Sequence, residues 1–263
     1  MLQNTPSPRI IFIGGSNLSM GLNSQMIQDS LHLNPVNTGL TFELGLKYML
    51  DNTLQDIRSH DIVVLIPEYS LYYSDYYRTS ETLLRMILDA NPAKISLLNF
   101  SQLLKLLSFL PEYTISKLKP SEYRQVEESE IYGYRSFNRY GDTDSHWGKE
   151  RKSFYPFGAL EKDINPLVIQ KIREFKARLG IKKATLILSF PGYQDISYYK
   201  SAEKIQHVAT ELRSNKFTVL GTPERYRMPD SLLFDLPYHL TKAGVDYRTR
   251  LFIKDYNLSH RLD

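Results

Sequence analysis

Arg9-Ile10-Ile11-Phe12-Ile13-Gly14-Gly15-Ser16-Asn17 is the stretch that decides the fold. Residues 10–13 are apolar and mostly β-branched, with no polar residue among them, which is the composition of a strand buried on both faces of a parallel sheet. Gly14 and Gly15 let the chain turn sharply at the carboxyl end of that strand, and a helical pattern follows. In open α/β sheets ligands bind at such strand ends. Ser16 therefore stands where an α/β enzyme can hold a nucleophile.

The rest of the chain repeats the alternation. Helical periodicity covers residues 20–31, with Leu22, Met26, Ile27 and Leu31 on one stripe, and a short strand is expected at 34–38, ending at Gly39. A helix over 42–50 and the clearest central strand, 61–66, come next, with Pro67 ending the strand. Residues 78–110 are mainly helical. Alternation then resumes with a helix at 166–179, a strand at 184–190, a helix at 198–212, a short strand at 217–220 and a closing helix at 241–256, which Thr241 can cap. Strands alternating with helices indicate an α/β fold: a three-layer sandwich around a mostly parallel sheet of about five strands.

With 263 residues and neither an internal repeat nor a Gly/Ser linker, a single domain is the economical reading. Residues 120–160 interrupt the pattern: they are polar, aromatic and weakly periodic. A stretch of that length without regular structure in a compact domain commonly serves a site, so it is read as an insertion over the active face. The apolar share is 42%, yet no segment reaches the ~18 uninterrupted apolar residues of a membrane span. The formal charge of +4 comes from scattered lysines and arginines among 29 acidic residues, an ordinary solvated surface rather than a nucleic-acid stripe. Absence of cysteine excludes disulfides, a thiolate nucleophile and Cys-based zinc sites. No signal peptide is visible in residues 1–8. The expectation is that the protein stays inside the cell or that the sequence starts downstream of a removed targeting segment.

A base for Ser16 is offered by Phe234-Asp235-Leu236-Pro237-Tyr238-His239-Leu240, a Pro-containing loop just before the last helix. A neutral imidazole can take the serine proton as acyl transfer begins, while a carboxylate on its other ring nitrogen fixes the tautomer and stabilises the imidazolium. The pairing requires the Ser16 hydroxyl to lie within reach of His239, with a carboxylate behind the ring. A structural aspartate capping the loop is the other reading of Asp235. Asn17 either contacts substrate or caps the helix after Ser16. Asp142, Asp144 and His146 alternate along the insertion and in an extended chain could face one divalent cation, but the calcium-loop pattern lacks its distal glutamate. His146 and Trp147 are candidates to face substrate; a turn with Trp147 packed as an anchor is the alternative. No metal and no cofactor is expected.

Gly14-Gly15-Ser16-Asn17 after the first strand, Gly39 after the second, and Asp235 with His239 before the last helix resemble the SGNH (GDSL-type) hydrolase superfamily, over nearly the whole chain. The resemblance implies a flavodoxin-like sandwich, Ser16 as nucleophile, Asp235 and His239 completing a triad, and the Ser16 and Gly39 amides as oxyanion donors. Two departures from the family pattern bear on this. The usual Gly-Asp-Ser reads Gly14-Gly15-Ser16, and the Gly-x-Asn-Asp expected after the third strand reads Pro67-Glu68-Tyr69-Ser70. Loss of the family's asparagine removes a donor worth ~100- to 1,000-fold in rate, for which the Tyr69 hydroxyl would have to stand in. Glu68 and Tyr69 are also placed at the substrate face. Divergent branches share the Tyr238-His239-Leu240 element and a glycine after it, here Gly244. The implied function is a serine ester hydrolase or acyl transferase, acting on O-acyl groups of a glycan or another small polar substrate. A ligand-binding protein that keeps the fold without catalysis is the alternative. A nucleotide-binding Rossmann protein is disfavoured, because the glycine spacing after the first strand is incomplete.

Overall fold

The computed structural model describes residues 1–124 and 131–259, so residues 125–130 of the expected insertion lie outside the described residues. Four strands form a parallel sheet in the order β2-β1-β3-β4: β1 (Arg9–Gly14), β2 (Asn34–Asn37), β3 (Ile62–Ile66) and β4 (Thr185–Leu188). The register pairs Ile11 with Val36 on one side and with Val63 on the other, and Val64 with Ile187. About five strands were expected. The fifth is reduced to one parallel bridge between Leu188 and Val219 at the sheet edge, and a separate two-stranded sheet, β5 (Tyr193–Gln194) with β6 (Arg227–Met228), was not foreseen.

Strand periodicity separates two cores. Ile11, Ile13, Val63, Leu65, Leu186 and Leu188 face one way, toward α3 (Gly45–Leu54), α8 (Pro166–Ile181) and α10 (Ala202–Ser214). Ile10, Phe12, Val64, Ile66 and Ile187 face the other way, toward α1 (Ser16–Ser19), α2 (Ser24–Leu31) and α11 (Lys242–Ser259). Successive strand residues point to opposite faces, so one hydrophobic run serves both layers and the result is a three-layer α/β/α sandwich. The mainly helical stretch holds α4 (Glu81–Arg85), α5 (Phe100–Leu106) and α6 (Leu110–Lys117), α7 (Pro120–Arg124) opens the insertion, and the short α9 (Asp195–Lys200) follows β5.

The sheet order reverses at β1, because the chain leaves it for β2 on one side and returns to β3 on the other. In open α/β sheets ligands bind outside the carboxyl ends of strands at such a switch point. Here those ends carry Gly14-Gly15-Ser16 and Pro67-Glu68.

Candidate active site at the switch point

The turn from β1 into α1 is stapled by one side chain. Asn17 Oδ1 accepts from the Gly15 amide at 3.0 Å, and its Nδ2 donates to the Ile66 carbonyl at 3.0 Å, tying the turn to the end of β3. Both polar ends of Asn17 are thereby committed and the residue is buried, so it shapes the site rather than facing a substrate. Ser16 is left half-exposed at the mouth of the crevice.

Its hydroxyl donates to Glu68 Oε1 at 3.2 Å, and the Asn17 amide lies 3.4 Å from the same oxygen. Gly15 has to be glycine here: a Cβ would sit 2.6 Å from Glu68 Oε1 and 2.9 Å from the Phe42 nitrogen. Burial pushes the Glu68 carboxyl up from its ordinary range, opposed by the charge of His239 and by hydrogen bonds from the Asn17 amide, the Ser16 hydroxyl and the Ser16 amide.

The opposite wall is a hairpin. The Phe234 amide donates to the His239 carbonyl at 2.8 Å, the His239 amide to the Leu236 carbonyl at 3.0 Å, and Leu233 and Leu240 form an antiparallel bridge. Closure of this turn sets Asp235 and His239 side by side, with Nδ1 and Oδ1 2.8 Å apart. Burial alone would raise the Asp235 carboxyl, but hydrogen bonds from His239 and Tyr132, with the charges of His239 and Lys152, hold it below the usual carboxylate range. Facing an ionised carboxylate, Nδ1 must donate, which leaves Nε2 as the basic nitrogen. The Leu240 amide donates to the Met20 carbonyl at 3.1 Å, docking the hairpin against the turn that follows α1. Among the described residues no hydrogen bond joins Ser16 to His239; the serine hydroxyl is directed at Glu68.

Tyr132, from the insertion, donates to Asp235 Oδ2, and its ring lies 6.3 Å from that of His239. The insertion meets the hairpin again where the Lys152 amide donates to the Phe234 carbonyl at 2.8 Å and Arg151 Nε to the Leu233 carbonyl at 2.6 Å. Sequence reasoning missed Tyr132. Its one signal was the density of tyrosines in the insertion.

Other residues named from sequence have different surroundings. The Gly39 amide, expected as an oxyanion donor, donates to Asn37 Oδ1 at 3.0 Å. The Tyr69 hydroxyl, expected as a stand-in donor, is buried in a different neighbourhood with no hydrogen-bond partner among the described residues: burial first, then Tyr198, Tyr72, Tyr193 and Glu224, raises its pKa well above the ordinary value. His146 is buried with Nε2 2.9 Å from the Leu240 carbonyl, so it supports the hairpin from behind. Trp147 packs against Met228, Leu233, Leu240 and Val245, with Lys242 Nζ 4.6 Å above its ring. Asp142 is buried against Ser24 and Asn37 and is turned away from any shared cation position with Asp144 and His146. Among the described residues, no three His, Asp or Glu side chains are grouped to hold a metal ion, and no helix is long and apolar enough to cross a membrane.

These features define an α/β/α sandwich with a polar cluster at its switch point: a serine, a buried glutamate and an aspartate-oriented histidine. No model of a known protein family matches the chain, and no curated protein matches it. Among solved structures it is similar to the protein YxiM of Bacillus subtilis, at 15% identity and a TM-score of 0.43. That match covers 96% of this chain, which spans 57% of the YxiM chain.

Proposed function

We propose that the protein is a serine ester hydrolase or acyl transferase working through a Ser16 acyl-enzyme. The observation that carries this reading is the 2.8 Å contact between His239 Nδ1 and Asp235 Oδ1, made by the hairpin that docks beside the Ser16 turn. The reading requires the Ser16 hydroxyl to turn from Glu68 to the imidazole, and catalytic contacts often tighten only with substrate bound. In the first half-reaction Ser16 Oγ attacks the acyl carbon, its proton passes to His239 Nε2, and the carbonyl π pair moves onto oxygen. Collapse expels the alcohol, which takes the proton from Nε2 and leaves the acyl group on Ser16. Water or a second hydroxyl then repeats the sequence in reverse. Aromatic side chains from the insertion border the hairpin, which suits an O-acylated sugar or a comparably polar substrate.

One observation favours a second reading. The resting Ser16 hydroxyl is engaged by Glu68, an arrangement that a ligand-binding protein without turnover could also keep. A fluorophosphonate probe separates the two. Stoichiometric labelling of the wild type that disappears in Ser16→Ala, together with turnover of p-nitrophenyl acetate, is the expected result. An intact wild type that neither labels nor turns over acetyl esters would establish the binding protein instead.

A further inference from the structure

Glu68 is the group at this site that the acyl-transfer scheme leaves without a task. It is 4% exposed and forms no ion pair with a lysine or arginine among the described residues. Its Oε1 accepts from Ser16 Oγ and approaches the Asn17 amide, and the Ser16 amide hydrogen-bonds to the same carboxyl group. The titratable groups around it are His239 and Tyr238 from the hairpin and Tyr193 from β5; from α1 it meets only the uncharged Ser16 and Asn17. A carboxyl group 3.2 Å from the nucleophilic oxygen is also within hydrogen-bonding reach of a carbonyl oxygen whose carbon has just bonded to that nucleophile.

We propose that Glu68, as a neutral carboxylic acid, is the oxyanion donor of this site, its Oε2–H directed at the oxygen of the tetrahedral intermediate formed on Ser16. The role rests on the acyl-transfer reading above. It fills the gap left by the Gly39 amide and the Tyr69 hydroxyl, both of which are turned elsewhere. In the step itself the Ser16 proton goes to His239 Nε2 and the π pair to the acyl oxygen, while the Glu68 proton stays on Oε2 as a hydrogen bond. An ionised Glu68 would set a second negative charge against that oxygen and could not donate. Burial favours the neutral form and outweighs the charge of His239 and the hydrogen bonds to the carboxyl, the same physical device by which an apolar site keeps other carboxylic acids protonated as donors. Activity should therefore fall as pH rises through the Glu68 titration.

The test uses the full chain with Glu68→Gln and Glu68→Ala, each checked by thermal melting, and p-nitrophenyl acetate hydrolysis followed against pH. Glu68→Gln retains a neutral donor, so kcat should drop by less than about tenfold while the alkaline fall disappears; Glu68→Ala should lose ~100- to 1,000-fold below the Glu68 titration, with the gap to wild type closing above it. A folded Glu68→Gln as inactive as Glu68→Ala, or a Glu68→Ala as active as the wild type, would overturn the assignment. Infrared difference spectroscopy of wild type against Glu68→Gln gives a readout without turnover. A protonated-carboxyl band at neutral pH supports the donor role, and its absence overturns it. Failure of wild-type Ser16 to label would remove the acyl-enzyme and this role with it. Failure of the glutamate variants in a protein that labels removes this role alone.

Discussion

Three residues separate Asp235 from His239, and the hairpin explains why that spacing works. The Phe234 amide reaches back to the His239 carbonyl, so the two flanks of the turn run antiparallel and bring the carboxylate beside the ring. Exchanging Asp235 for Asn keeps the shape but puts an amide where only an acceptor serves, which lets the imidazole adopt the wrong tautomer. Under the acyl-enzyme reading, Asp235→Asn should lower kcat by roughly 1,000- to 10,000-fold with little change in KM, measured by ester hydrolysis. Ser16, Asp235 and His239 were legible because each announces itself locally, through a strand end, glycines and a proline-bounded turn. Tyr132 was not, since its partner Asp235 is 103 residues away in sequence. Glu68 was legible as a position but not as a neighbour: the two departures from the SGNH pattern, Gly15 and Glu68, occupy one volume, and the carboxyl lies where a Gly15 side chain would be. Gly244 has a similar origin, because a Cβ there would come within 2.3 Å of the Leu232 carbonyl where the hairpin enters α11.

At the scale of elements, periodicity located the helices but not their breaks. The expected helix over 20–31 begins only at Ser24, where the Asn23 side chain accepts from the Met26 amide and caps α2; the short α1 lies before it, ending at Ser19. The insertion, which has little periodicity of its own, is held by a buried carboxylate. Asp142 accepts from the Ser24 amide at 2.7 Å, the Ser24 hydroxyl at 2.7 Å and Asn37 Nδ2 at 2.8 Å, joining it to α2 and to the end of β2. Burial outweighs those hydrogen bonds and pushes the Asp142 carboxyl up to about 6. With a folded value above the unfolded one, the native state binds the extra proton between roughly pH 4 and 6. Its contribution to stability is thus full at the acidic end and declines as pH rises through that window. Asp142→Asn should cost about 1–3 kcal/mol at pH 4, because an amide cannot accept from all three donors. Denaturant melts should show the deficit narrowing by pH 7; a deficit that widened would contradict the direction assigned to Asp142.

Across the whole molecule, stability and chemistry occupy opposite edges of the sheet. The positions of the four strands were legible as apolar runs bounded by turns, whereas the fifth strand was overread: residues 217–220 are apolar enough for a strand, but only Val219 pairs, with Leu188 at the sheet edge. At the amino-terminal edge, Arg9 at the start of β1 and Asp61 just before β3 form a fully buried pair, with Nε to Oδ1 at 2.9 Å. Asp61 also accepts from the Arg58 amide at 2.6 Å, and Arg9 donates to the Asp56 carbonyl at 2.9 Å, so both charges are held by several partners. This pair was not legible from sequence, since two charges separated by 52 residues meet only through the β1–β3 register. Such a pair adds little over a well-packed apolar substitute, but removing one member strands the other without solvent, at about 3–5 kcal/mol. Asp61→Asn should therefore lower the thermal midpoint strongly and leave Ser16 labelling by fluorophosphonate unchanged at temperatures where the variant is folded. The carboxyl edge carries Ser16 and Glu68 just beyond the far ends of the same strands, which run in register between the two edges, with the His239 hairpin docked beside them. Loss of labelling in folded Asp61→Asn would mean that the site depends on the opposite edge, and the separation of roles along β1 and β3 would fail.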